Sequence, residues 1–232
     1  MKEPFMTFQE EQLLNYFSQF ISDHKKNFID KVLAQRTRYV TVVLEDIYQS
    51  QNASAVVRTC ECMGLQDIHI IENLAKYQLN VRVLKGADKW INLARYRNNG
   101  VNNTDTCYKA LREQGYRIFV ADPEEDGLPI DEIDVNEGKI ALLFGNELRG
   151  ASQYARENCD RKVRIPMYGF TESLNISVSV AICLNTLMGK SRKSSADIEL
   201  TVEEANQLKL QWFKKIVRRS DLLEREFLRT IK

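Results

Sequence analysis

Apolar positions at Phe8, Leu13, Phe17, Phe20 and Ile21 share one helical face and predict a helix within residues 7–33. From Tyr39 the pattern changes to short β-rich runs at residues 40–44, 68–71, 116–121, 139–144 and 163–166, with 90–93 as a further short candidate. Helical stretches at 52–63, 104–114 and 152–159 fall between them, and a long, mostly apolar one covers 173–188. Strands that alternate with helices and read as unbroken apolar runs, as Ile140-Ala-Leu-Leu-Phe144 does, predict a parallel sheet with helices on both faces. Gly64, Gly115 and Gly189 follow helical runs, where a residue free to adopt positive φ ends a helix. Thr201-x-x-Glu204 is a capping box opening the last helical region. The expectation is an α/β domain over 39–190 with helical extensions at 1–38 and 191–232.

Composition narrows the class. A chain of 232 residues, 44% hydrophobic and 28% charged, can bury a core without metal or disulfide staples. No apolar run reaches the roughly 18 residues that span a bilayer. The start, MKEPFMTFQEEQ, resembles neither a signal peptide nor a transit peptide. The five cysteines follow no disulfide framework, so reduced thiols in a cytoplasm are expected. Two histidines, His24 and His69, leave little material for a metal site, and none is expected.

The net charge of +1 conceals segregation. Residues 76–118 hold nine basic residues against three acidic ones, residues 122–138 hold eight acidic and no basic, and the tail from 190 holds eleven basic against seven acidic. Basic patches of this kind can guide a polyanion, although charge alone also fits solvated helix faces.

Three segments place polar residues in apolar or glycine-bounded surroundings. In the first, Asn52 to Gly64, Asn52 fits a helix N-cap, Val56, Cys60 and Met63 form the core stripe, and Arg58 points away from it. The second, Gly145-Asn-Glu147-Leu-Arg-Gly150, follows a strand, where α/β sheets bind ligands. Its glycine spacing is that of a phosphate-binding loop, but Ala151-Ser152 stands where Lys-Ser/Thr is required, and no G-x-G-x-x-G occurs; nucleotide hydrolysis and a classical dinucleotide site are unsupported. The third, Ile165-Pro-Met167-Tyr-Gly-Phe-Thr-Glu-Ser173-Leu174-Asn175-Ile-Ser177, runs from a strand into the apolar helix, with Ser173 or Thr171 as its expected cap. Neither histidine lies in these segments, so acyl-transfer hydrolysis has no base.

In this order and spacing the segments resemble the three motifs of the SpoU branch of the SPOUT RNA 2′-O-ribose methyltransferases. The Asn52/Arg58 pair, the Gly145-x-Glu147-x-x-Gly150 loop and the run from Ile165 to Ser177 match at every fixed position. Gly86-Ala-Asp-Lys-Trp90, Trp212 and the short N-terminal extension extend the resemblance to the tRNA (guanosine-2′-O)-methyltransferase, or TrmH, group. The resemblance implies a C-terminal trefoil knot through about residues 118–188, a homodimer whose active site the partner chain completes, and S-adenosyl-L-methionine held at Ala121, Gly145, Ile165, Met167 and Leu174. It implies a catalytic set of Asn52, Arg58, Glu147, Ser173 and Asn175. A guanidinium with a pKa above about 12 is a poor base, so Arg58 is read as binding an RNA phosphate or the developing oxyanion. Asn175 and Ser173 would orient the ribose, while Glu147 would accept the proton or hold Arg58. The basic run 76–118 and Lys190, Arg192, Lys193, Arg218 and Arg219 become candidate tRNA contacts. The rival expectations are a methyltransferase of ribosomal RNA and a non-catalytic RNA-binding protein of the same fold.

Overall fold

The structure is a computed structural model that describes residues 6–124 and 126–230. Residues 1–5 of the N-terminal extension, Glu125 of the acidic run, and residues 231–232 of the tail lie outside the described residues. The chain divides into two units, Thr37–Ile198 and a pairing of Met1–Arg36 with Glu199–Lys232.

The helical unit contains α1 (Phe8–Ser18) and α2 (Asp23–Leu33). One continuous face was expected over 7–33, but the helix ends after Ser18 and Ser22 starts α2 as its N-cap, which resets the period. Leu13, Phe17 and Ile21 are buried, whereas Phe8 and Phe20 are exposed. A capping box at α1 is closed by Thr7 and Glu10.

In the other unit, β1 (Val40–Glu45) leads through α3 (Ser50–Cys62) to β2 (Asp67–Ile71). The short α4 (Val81–Leu84) precedes β3 (Asn92–Tyr96), which lies later than the expected 90–93. Then come α5 (Asn103–Glu113), β4 (Tyr116–Ala121), β5 (Leu128–Pro129), β6 (Lys139–Phe144), α6 (Gln153–Glu157), β7 (Arg161–Arg164) and α7 (Ile176–Ser191). Two residues with a proline give β5 no readable pattern, and it is absent from the sequence expectation. The helical unit resumes with α8 (Val202–Ile216), opened by the Thr201/Glu204 capping box, and α9 (Ser220–Thr230).

Among the described residues, all seven strands pair parallel, in the order β3-β2-β1-β6-β4-β7-β5. Alternation along the central strands builds two cores. Val40, Val42, Leu44, Ile140, Leu142 and Phe144 face α3 and α7, where Val56, Cys60, Val180 and Leu184 complete the layer. Val43, Ile118, Val120, Ala141 and Leu143 face Cys107, Tyr108 and Leu111 of α5. Each fully buried leucine here stabilises the sheet by about 2–5 kcal/mol relative to alanine.

Gly64 and Gly115 take positive φ of 87° and 81° past α3 and α5, as expected. Gly189 does not end a helix: α7 continues to Ser191 because Leu187, Met188 and Ser191 keep the buried stripe going. Among the described residues, no helix is long and apolar enough to cross a membrane.

Candidate functional site

The carboxyl ends of β4, β6 and β7 open on a cleft of about 510 Å³, the position where parallel sheets offer free backbone groups to a ligand. Ala121 and Asp122 line it from the end of β4, Phe144 to Leu148 from β6, and Val163 to Ile165 from β7. The starts of α3 and α7 close its sides with Asn52 and Ser173 to Ile176.

The loop after β6 is held shut by a pair of hydrogen bonds, Asn146 N–H to Gly150 O and Gly150 N–H to Asn146 O, both 2.9 Å. Gly145 is required by this closure: a Cβ there would meet Ala151 N at 2.1 Å and Gly150 C at 2.2 Å. Asn146 is buried and pins the turn, its Nδ2 donating to Asp46 O at 2.7 Å and its Oδ1 accepting from Leu148 N at 2.8 Å. The loop thereby presents Glu147 to the start of α3. Glu147 Oε2 accepts from Tyr48 N at 3.3 Å, and Oε1 accepts from Gln49 N at 3.4 Å and Asn52 Nδ2 at 3.1 Å. A carboxylate beside the unpaired N–H groups of a helix start is favoured by the helix dipole.

Asn52 is not the N-cap. Gln49 holds that position without a side-chain cap bond, because α3 begins two residues earlier than expected and Glu147 supplies the acceptor from elsewhere in the chain. Asn52 is free to link neighbours: its Nδ2 reaches Glu147 and Gln49 Oε1, and its Oδ1 accepts from Asn175 Nδ2 at 3.2 Å. Asn175, rather than Ser173 or Thr171, caps α7, its Oδ1 accepting from Ser177 N at 2.9 Å and Ser177 Oγ at 2.7 Å. One residue from each motif therefore joins a single hydrogen-bonded line, Glu147–Asn52–Asn175.

Ala121, Gly145, Ile165, Met167 and Leu174 all line the cleft, together with Asn52, Glu147, Ser173 and Asn175. Arg58 does not. It is exposed on α3, outside the cleft of its own chain. Within one chain Glu147 accepts from Asn52 and the start of α3 and does not meet Arg58. Among the cleft residues that the sequence reading missed are Asn146 and Asp122. A polar residue directly after a strand end was the available signal for Asp122, whose Oδ2 pairs with Arg156 Nε at 3.3 Å.

Cys183, also in the cleft wall, has its thiol pushed up to about 12 by burial and stays protonated, so it offers no nucleophile at neutral pH. Among the described residues, no group of three or more His, Cys, Asp and Glu is arranged to hold a metal ion.

The basic segments are partly committed within the chain. Arg95, Lys109 and Arg117 pair with Glu72, Asp105 and Glu137. Lys190 donates to the carbonyls of Asp131 and Ile133, and Arg192 to that of Met63. Arg82, Lys85, Arg97, Lys193, Arg218 and Arg219 are exposed.

The sequence profile of the SpoU rRNA Methylase family matches residues 39–185. A tRNA (guanosine(18)-2'-O)-methyltransferase of Borreliella burgdorferi is 42% identical over 211 residues, 91% of this chain and 94% of that protein. The fold is similar to that of a TrmH/SpoU tRNA modifying enzyme of A. aeolicus, with a TM-score of 0.71 at 24% identity, covering 91% of this chain and 100% of that one. It is also similar to the SpoU methyltransferase AviRb of Streptomyces viridochromogenes, solved in complex with the cofactor AdoMet, with a TM-score of 0.55 at 20% identity over 72% of this chain and 62% of that one. The chain whose three motifs meet at this cleft belongs to the SpoU methylase family.

Proposed function

We propose that the protein is an S-adenosyl-L-methionine-dependent RNA methyltransferase that modifies the 2′-oxygen of guanosine 18 in the D-loop of tRNA. The observation that carries this reading is the Glu147–Asn52–Asn175 line on the wall of the strand-end cleft. The cleft suits the cofactor. Its volume of about 510 Å³ is within the range of small-molecule sites, and it combines apolar walls at Ile165, Met167, Leu174 and Ile176 with polar groups at Asp122 and Glu147. Ala121, Gly145, Ile165, Met167 and Leu174 would hold it. When bound, the cofactor supplies a methyl group on a sulfonium, open to in-line attack by an oxygen nucleophile.

The protein's share of the work is placement. Asn52, fixed from both sides, and Asn175, fixed by capping α7, give the ribose hydroxyls amide partners that need no reorganisation. Ser173 is the third ribose contact. Orientation of this kind can lower such a barrier by about 7–11 kcal/mol, so no strong base is required. Glu147 acts as the positioning group that holds Asn52 against the start of α3.

Arg58 is assigned to the cleft of a second copy in a homodimer, where it binds an RNA phosphate or the developing oxyanion. Its exposure away from its own cleft supports this, as do the exposed apolar residues Leu148, Tyr168, Phe170 and Val178. The strand order supports a trefoil knot: β6 returns between β1 and β4, and β7 then passes back between β4 and β5. In this reading residues 39–190 are the catalytic domain, 1–38 and 191–232 are extensions, and exposed Arg82, Lys85, Arg97, Arg218 and Arg219 meet tRNA phosphates. Five free cysteines agree with a cytoplasmic site of action.

The test is transfer of labelled methyl to unmodified tRNA transcripts and, in parallel, to ribosomal RNA. The expected result is one D-loop ribose resistant to alkaline cleavage, lost in Arg58→Ala. Label in ribosomal RNA alone would overturn the substrate. No label in either, with cofactor bound, would make the protein an RNA-binding module.

A further inference from the structure

A second cavity, about 320 Å³, shares Asn146 and Gly150 with the main cleft, so the loop after β6 is a wall common to both. Tyr48 and Leu74 line it and are 52% and 68% exposed. Asp46 and Arg149 line it too. Asp46 is only 6% exposed, and its Oδ1 accepts from the backbone N–H groups of Asn73, Leu74 and Ala75 at 2.7–3.0 Å. Its Oδ2 takes no hydrogen bond from a described residue, and the guanidinium of exposed Arg149 has no partner among them. The cavity is joined to the main cleft because Tyr48 donates its backbone N–H to Glu147, which lines that cleft and accepts from Asn52.

We propose that this cavity receives the target base and selects guanine. This rests on the reading of the chain as a guanosine 2′-O-methyltransferase. A ribose seated against Asn52 and Asn175 carries its base one glycosidic bond away, and a base unstacked from an RNA loop needs an aromatic face and partners for its edge. Tyr48 supplies the face. Guanine presents acceptors at O6 and N7 and a donor at N1–H, which match the fork of Arg149 and the uncommitted Oδ2 of Asp46. Adenine reverses both, setting its N6 donor against the guanidinium and its N1 acceptor against the carboxylate. The pair therefore rejects the wrong purine as well as attracting the right one.

The experiment measures kcat/KM for the full chain on tRNA transcripts carrying guanosine or adenosine at the methylated position. Tyr48→Ala is expected to lower kcat/KM on the guanosine transcript by about 10- to 100-fold, with most of the loss recovered in Tyr48→Phe. Arg149→Ala is expected to reduce the guanosine-over-adenosine ratio by about 10-fold or more, with cofactor affinity unchanged. Wild-type rates and ratios in both alanine variants would overturn the proposal. So would an equal loss on both transcripts in Arg149→Ala with a shallower salt dependence, which marks a phosphate contact. If wild type methylates neither transcript, the proposed function fails rather than the cavity. Titration with guanosine monophosphate then decides the cavity: binding weakened in Tyr48→Ala supports it, and binding unchanged overturns it.

Discussion

Asn175 Nδ2 donates to Asn52 Oδ1 at 3.2 Å across 123 residues of chain, joining the start of α7 to the start of α3. The bond is possible because neither asparagine uses all of its amide for capping. Asn175 caps α7 with its oxygen alone, and Glu147 takes over the start of α3.

Removing the central member should therefore disconnect the line. Asn52→Ala leaves Glu147 with only weak backbone donors and should lower stability by about 1–3 kcal/mol, read from urea unfolding. Methyl transfer should fall by a larger factor than stability explains. Asn52→Asp places a second carboxylate about 3 Å from Glu147, and should lose activity at neutral pH more completely than Asn52→Ala.

Gly145→Ala tests the closed loop. The added Cβ would overlap the backbone at Gly150 and Ala151, which cannot move without breaking the paired Asn146 and Gly150 bonds. Overpacking of this kind costs about 1–3 kcal/mol or more, and cofactor affinity measured by equilibrium dialysis should fall in parallel. Wild-type affinity in this variant would show that the loop plays no part in holding the cofactor.

His69 gives a pH signature. It is buried on β2, its Nδ1 lies 3.0 Å from Tyr96 Oη, and burial lowers its pKa to about 4. The unfolded state therefore binds the proton first as pH falls. Stability from the neutral ring is fully present above about 6.5 and is lost progressively towards pH 4, by an amount of about 3 kcal/mol. The urea midpoint of wild type should drop between pH 7.5 and pH 5, and His69→Gln should flatten that part of the curve.

The assignment of Arg58 to a neighbouring cleft predicts complementation. Arg58→Ala and Asn175→Ala should each abolish turnover as pure proteins. Mixed in equal amounts and allowed to exchange, they should regain about a quarter of the wild-type activity, because half of the dimers then carry one intact site. No recovery after verified exchange would return Arg58 to its own chain's cleft.

The central strands were readable because runs such as 139–144 are apolar on both faces, and every candidate site residue except Arg58 lines the cleft where the strand ends meet. At α7 the cap is Asn175 rather than Ser173 or Thr171, still a side chain of the helix's own start, whereas at α3 the expected cap Asn52 is not one. Local spacing suggests a side chain that caps its own helix, whereas the acceptor at α3 comes from Glu147, 95 residues away from Asn52. The break between α1 and α2 was hidden because Phe20 continues the apolar spacing although its ring stays exposed. The cavity beside Tyr48 had no sequence signal, since its walls come from residues near 46, 74 and 149.

The insertion of β6 between β1 and β4 has a consequence for how the protein comes into being. β1 and β4 cannot pair with each other and wait for a strand that is synthesised after both, and β7 must then find the far side of β4. Contacts of such long sequence separation form late and slowly. Partly folded chains with β1, β2 and β3 in place would have neither the wall at Gly145 nor the partner at Asn175. Competence to take up a ligand therefore arrives in one step, with the last strand, and a truncated or arrested chain is inert rather than weakly active.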